Sequence, residues 1–135
     1  MDKKGFTLIE LIAAITILGI LTVLIAPNVI KMRNNVLEKS LQSKLDMIKT
    51  AAKDYASDDE SVFRKISSNK CTTTTVGNLI ENGYLTGDTK QKTAMSNPLT
   101  GKTMNGEQVC IYFDSDDVMT RKITACVIGY DEDCG

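Results

Sequence analysis

Apolar residues follow two different rhythms along this chain. Across residues 11–30, twenty positions pass without a formal charge, enough for one helix to cross the hydrocarbon of a bilayer. Farther on, Val36, Leu37, Leu41, Leu45, Ile48, Ala52 and Tyr55 recur at threes and fours, the spacing of one helical face. Lys39, Lys44, Lys49 and Lys53 fall mostly outside that stripe. Together the two patterns predict one helical rod over residues 6–57, roughly 75 Å long at 1.5 Å per residue. Asp58-Asp59-Glu60 ends it.

A helix with one apolar face needs a cover, and the later residues must supply it. Residues 61–66 predict a short helical turn. Residues 76–82 predict a short helix closed by Gly83, with Tyr84 and Leu85 packing back beyond it. Residues 86–92 and 96–106 are polar and punctuated by Gly87, Pro98, Gly101 and Gly106, so they read as loops. Strand signals come late. Residues 108–113 set Val109, Ile111 and Phe113 against Cys110 and Tyr112; residues 122–128 set Ile123, Ala125 and Val127 against Thr124, Cys126 and Ile128. With 114–120 as the connection they form an antiparallel hairpin. The class is α+β: a long N-terminal helix, membrane-spanning in its first half, packed against a small antiparallel sheet. The length allows a single small domain beyond the apolar run.

The start of the chain carries the most specific chemistry. Lys3 and Lys4 precede Gly5-Phe6-Thr7-Leu8-Ile9-Glu10-Leu11, and Glu10 is a lone carboxylate at the mouth of the apolar run. A secretory signal peptide would share the basic start, but its apolar region spans about 7 to 15 residues and ends at a small-x-small site. This run is longer and no such site follows it. A plain signal anchor explains neither Gly5-Phe6 nor Glu10.

This segment resembles the N-terminus of type IV pilins and of type II secretion pseudopilins, in which leader, glycine, aromatic, glutamate and hydrophobic run occur in fixed order. The resemblance covers residues 1–33; beyond them only the layout of long helix and small sheet is pilin-like. It implies a leader over residues 1–5, a membrane and filament-core helix over 6–30, and a head over 31–135 that includes the amphipathic helix 31–57. It also implies cleavage between Gly5 and Phe6 by a prepilin peptidase, N-methylation of Phe6, and assembly through Glu10 of one subunit and the Phe6 amine of the next. The implied partners are further copies of the chain, the peptidase/methyltransferase, an assembly platform with its ATPase, and the membrane. The implied location is a single-pass membrane precursor, then an extracellular or envelope filament of a bacterium.

Each motif residue has a physical reason. Gly5 lets an extended backbone enter a narrow protease site. Lys3 and Lys4 favour a cytoplasmic leader, although Lys31 and Arg33 flank the other end of the run. In a packed filament Glu10 and a neighbouring Phe6 amine offset each other's desolvation, so the pair sets register more than it adds cohesion. The alternative is a Glu10 solvated at headgroup depth. Pro27 cannot donate to Val23, and Gly19 is a poor helix former. A kink is expected there, and the resemblance implies a helix break between Gly19 and Pro27 when subunits pack.

The four cysteines are Cys71, Cys110, Cys126 and Cys134. On a small exported domain they predict two disulfides. Cys110 with Cys126 across the hairpin and Cys71 with Cys134 at the tail is the preferred connectivity, with free thiols as the alternative. Without histidine or a Cys-x-x-Cys spacing, no metal site is expected. Asp114-Ser115-Asp116-Asp117 fails the EF-hand pattern, since Met119 and Ala125 occupy the required glycine and glutamate places.

Removing Asp2, Lys3 and Lys4 with the leader takes the formal charge from −1 to −2. Residues 31–53 are basic, whereas Asp114, Asp116, Asp117, Asp131, Glu132 and Asp133 make the end acidic. Such opposed faces either steer subunits together or are simply solvated. No general base, phosphate-cradling loop or activated nucleophile is evident, so the chain reads as a substrate of enzymes that needs no cofactor. The expected function is a structural pilus subunit. The alternatives are a secretion pseudopilin or a competence DNA-uptake pilin; binding of nucleic acid has only the basic stretch 31–53 to support it.

Overall fold

The computed structural model describes residues 5–66, 70–132 and 134, with Ala26 and Pro27 described by backbone alone. Lys3 and Lys4 of the leader, Asp133 of the acidic tail and the Pro27 side chain lie outside the described residues. The chain divides into two units, Met1–Leu37 and Glu38–Gly135.

Helix α1, Leu8–Asp58, contributes to both. In the first unit it carries the apolar run, and its large side chains are exposed throughout. Thr16 and Thr22 donate their hydroxyls to the carbonyls of Ile12 and Leu18, at 2.8 and 2.7 Å. Neither hydroxyl therefore needs a partner outside the helix. Helical backbone continues across Gly19 and Pro27; the break implied there belongs to the packed state of neighbouring subunits, which a single chain does not sample. A proline inside a helix removes one hydrogen bond; the rest of the turn holds the backbone in place.

The second unit is built on the C-terminal part of α1. Leu45, Ile48, Ala51, Ala52 and Ala56 are buried, and Leu41 and Tyr55 pack against them. From Leu41 on the predicted stripe is thus the core face; Val36 at its start is exposed and Leu37 is half-buried outside the cluster. Asp59 separates α1 from α2, Glu60–Lys65; its carboxylate accepts from the backbone N–H groups of Ser61 and Val62 and caps the short helix. Helix α3, Val76–Glu81, is capped by the Thr75 hydroxyl. It ends at Gly83, whose φ of 81° is the left-handed conformation of a helix stop. Tyr84 and Leu85 then both donate to the Leu79 carbonyl.

Three strands form one antiparallel sheet in the order β1-β2-β3: Thr72–Thr75, Gln108–Phe113 and Ile123–Val127. Val109, Ile111, Phe113, Ala125 and Val127 join the α1 residues in one buried cluster. The hairpin follows the expectation, with Lys122 and Ile128 just outside β3. Strand β1 was not expected. It is a run of four threonines whose β-branching favours extended backbone but whose polarity hides the alternation of a half-buried strand.

Candidate functional site

The N-terminal segment assembles a small hydrogen-bonded unit. Gly5 and Phe6 precede the helix and are exposed, Phe6 almost fully at 92%. Thr7 is the last residue before α1. Its backbone N–H and its hydroxyl both donate to Glu10 Oε2 at 2.8 Å, and the Glu10 N–H donates back to the Thr7 hydroxyl at 3.4 Å. This is a capping box: two N–H groups that the helix leaves without partners are satisfied reciprocally. The Thr-x-x-Glu spacing is the signature of this cap. Both contacts use Oε2. Among the described residues, Oε1 accepts no hydrogen bond.

Behind this cap the helix presents apolar surface on every side. Leu8, Ile9, Leu11, Ile12, Ile15 and the residues that follow through Ile30 are exposed wherever their side chains are described. Such a surface is untenable in water and needs lipid or protein around it. α1 is the one helix among the described residues that is long and apolar enough to cross a membrane.

The head places the predicted side chains differently from expectation in two respects. The first is the cysteines. Cys126 is bonded to Cys134, not to Cys110, and Cys71 and Cys110 are thiols. Cys110 does face Cys126 directly across β2 and β3, as the hairpin pattern implied. However, the chain turns sharply after β3. Tyr130 and Asp131 N–H donate to the Val127 carbonyl, and Asp131 Oδ2 accepts from the Val127 N–H at 2.8 Å. That turn returns Cys134 to Cys126, so the Cys71–Cys134 and Cys110–Cys126 pairings are both corrected. The sulfurs of Cys110, Cys126 and Cys134 lie within 4.8 Å of one another. With two of them in a disulfide, only Cys110 retains a thiol to offer a metal.

The second is charge. The Lys44 ammonium pairs with Asp88 and also donates to the Ser96 carbonyl at 2.6 Å. Lys49 lies 3.1 Å from Asp131. Two lysines of the basic stretch are therefore matched by acids of their own subunit. Burial alone would raise the Asp88 carboxyl, but Lys44 and the Ser96 N–H and hydroxyl outweigh it and hold it below its ordinary value. In the 114–120 loop, Asp114 accepts from the Lys122 N–H and Asp117 from the Met119 N–H and the Thr120 hydroxyl. These carboxylates close the hairpin loop.

Residues 1–26 match the family described as "Prokaryotic N-terminal methylation motif". The chain is 30% identical over 60 residues to a "ComG operon protein 3 homolog" of Bacillus licheniformis. The match covers 44% of this chain and 62% of that protein, so the chain spans about three fifths of the length of the curated relative it matches. No solved structure matches. A capped carboxylate at the head of an apolar helix, a small α+β head of pilin-like layout and this match together establish that the chain carries the prepilin-type N-terminal methylation motif.

Proposed function

We propose that the chain is a prepilin, the membrane-held precursor of a filament subunit of the type IV pilus kind. A peptidase cuts between Gly5 and Phe6, the new Phe6 amine is methylated, and the processed chain polymerises through the apolar part of α1. The carrying observation is the unburied surface of residues 8–25 and 28–30, interrupted by a single carboxylate at its first turn. Lipid covers that surface in the precursor and neighbouring helices cover it in the filament. In this reading Glu10 Oε1 receives the neighbour's Phe6 ammonium, while Oε2 stays with Thr7.

The chain acts as a substrate of processing enzymes, not as an enzyme. An assembly platform and its ATPase supply the work of extraction. A secretion pseudopilus or a DNA-uptake filament would share every one of these steps. The pairing of Lys44 and Lys49 within the head supports a structural subunit over a nucleic-acid reader, since it removes two cations from the basic stretch. Mass spectrometry of the native N-terminus tests the proposal. A chain beginning at methylated Phe6 is expected in filament or surface fractions; intact Met1 there overturns it.

A further inference from the structure

The outer face of the sheet carries a row of sulfur that the filament reading does not use. In β2, Val109, Ile111 and Phe113 belong to the core cluster, so the alternation of a strand puts Cys110 on the opposite face. Its Cα partners are Cys126 on β3 and Thr73 on β1. Cys71 stands two residues before Thr73, between the bridged Lys70 and the start of β1, which puts it on the Cys110 face. Cys126 is occupied by Cys134. The thiol left beside Cys110 is that of Cys71.

We propose that Cys71 and Cys110 are an oxidation site that closes a second disulfide, tying β1 to β2 beside the Cys126–Cys134 bond. The two thiols have different parts. Cys71 is exposed and meets the oxidant; Cys110 is buried and follows. Burial first, and then the neighbouring Cys71 thiol, push Cys110 up to about 12, so it is a poor opening nucleophile at neutral pH. The oxidant is a disulfide, either of a thiol oxidoreductase or of a small thiol. The Cys71 thiolate attacks one of its sulfurs and the other leaves as a thiolate. Cys110 gives up its proton and attacks the Cys71 sulfur of the mixed disulfide, expelling the oxidant's second thiolate. Two protein thiols are oxidised, one oxidant disulfide is reduced, and two protons pass to the released thiolates. The product removes the one thiol placed to attack the Cys126–Cys134 bond, so it also fixes that pairing.

The test uses the full chain in detergent, treated with oxidised glutathione, alkylated without reduction and mapped by mass spectrometry. The expected result is loss of the hydrogens of the two remaining thiols, a cross-linked peptide holding Cys71 and Cys110, and a second still holding Cys126 and Cys134. Closing this long loop is expected to raise the melting temperature by roughly 10 °C over the single-disulfide form. In the Cys71→Ser variant, whose altered side chain is exposed, Cys110 should be alkylated only after denaturation. Three outcomes overturn the proposal: Cys71 stably glutathionylated with Cys110 still a thiol, Cys110 joined to Cys126, or one equivalent of zinc held by the reduced chain with its cysteines protected.

Discussion

The Lys49 ammonium sits 3.1 Å from Asp131 Oδ1, and the other oxygen of the same carboxylate accepts the Val127 N–H at 2.8 Å. One acid thereby fastens the C-terminal turn to α1 and to the end of β3. The two halves of this clasp differ in worth. The Lys49 contact is an ion pair with both side chains about a quarter exposed (23% and 24%), worth roughly 0 to 1 kcal/mol. The Val127 contact satisfies the backbone of a fully buried residue, and leaving such a donor unpaired costs about 1 to 3 kcal/mol. Asp131→Ala should therefore destabilise the head clearly more than Lys49→Ala. Urea denaturation of the two variants checks it; equal midpoints would place the value of Asp131 in the ion pair.

Glu10→Ala should still be cleaved and inserted but should polymerise poorly. Removing one member of a buried ion pair costs about 3 to 5 kcal/mol in the packed state, whereas loss of the helix cap costs only about 0.5 to 2 kcal/mol. Thr7→Ala, which loses the cap and keeps the carboxylate, should polymerise better than Glu10→Ala. Immunoblots of sheared surface fractions against membrane fractions read the difference. Normal filament yield from Glu10→Ala removes the pairing role.

Gly87 has no room for a side chain. A Cβ there would meet the Ala94 carbonyl oxygen at 2.5 Å and the Ala94 nitrogen at 2.7 Å, both backbone atoms. Gly87→Ala should cost about 1 to 3 kcal/mol, the usual range for overpacking, and should loosen the loop that holds Asp88 against Lys44. Gly106→Ala, whose Cβ meets nothing within 4 Å, is the matched control. Thermal melts of the two variants should separate by several degrees.

Acid should weaken the head through Asp88. Its folded value lies below that of the unfolded chain, so its contribution is complete above roughly pH 4 and is lost as pH falls through the folded value. Asp88→Asn should be less stable than the native chain at neutral pH and should lose less on acidification. Melting temperatures from about pH 7 down to about pH 2 test both statements. Parallel curves for the two proteins would assign the acid sensitivity elsewhere, with Asp59 at the start of α2 the next carboxyl held low, by the Ser61 hydroxyl and the Val62 N–H.

What could be read from the sequence was what repeats. The stripe through Leu45, Ile48 and Ala52 became the core face, Gly83 ended α3, and the alternation about Val109 and Ile111 became β2. Features that depend on a single turn were hidden. The Cys126–Cys134 bond exists because Asp131 folds the chain back at Val127, and no periodicity announces that. Lys44 finds Asp88 only after α3 and the following loop are in place. Strand β1 went unread because threonine is extended by shape but polar by chemistry. At the N-terminus the Thr7–Glu10 box stands in the Thr-x-x-Glu spacing itself.

Thr16 and Thr22 have already given their hydroxyls to Ile12 and Leu18. In the proposed filament, then, the stem would offer adjoining stems contour and bulk along most of its apolar length but little directional chemistry. Under that proposal, discrimination between kin and stranger would fall to the carboxylate near the tip and to the heads. A foreign subunit of matching girth would pass unchallenged through the middle of the bundle, and mixed polymers become a matter of supply more than of fit.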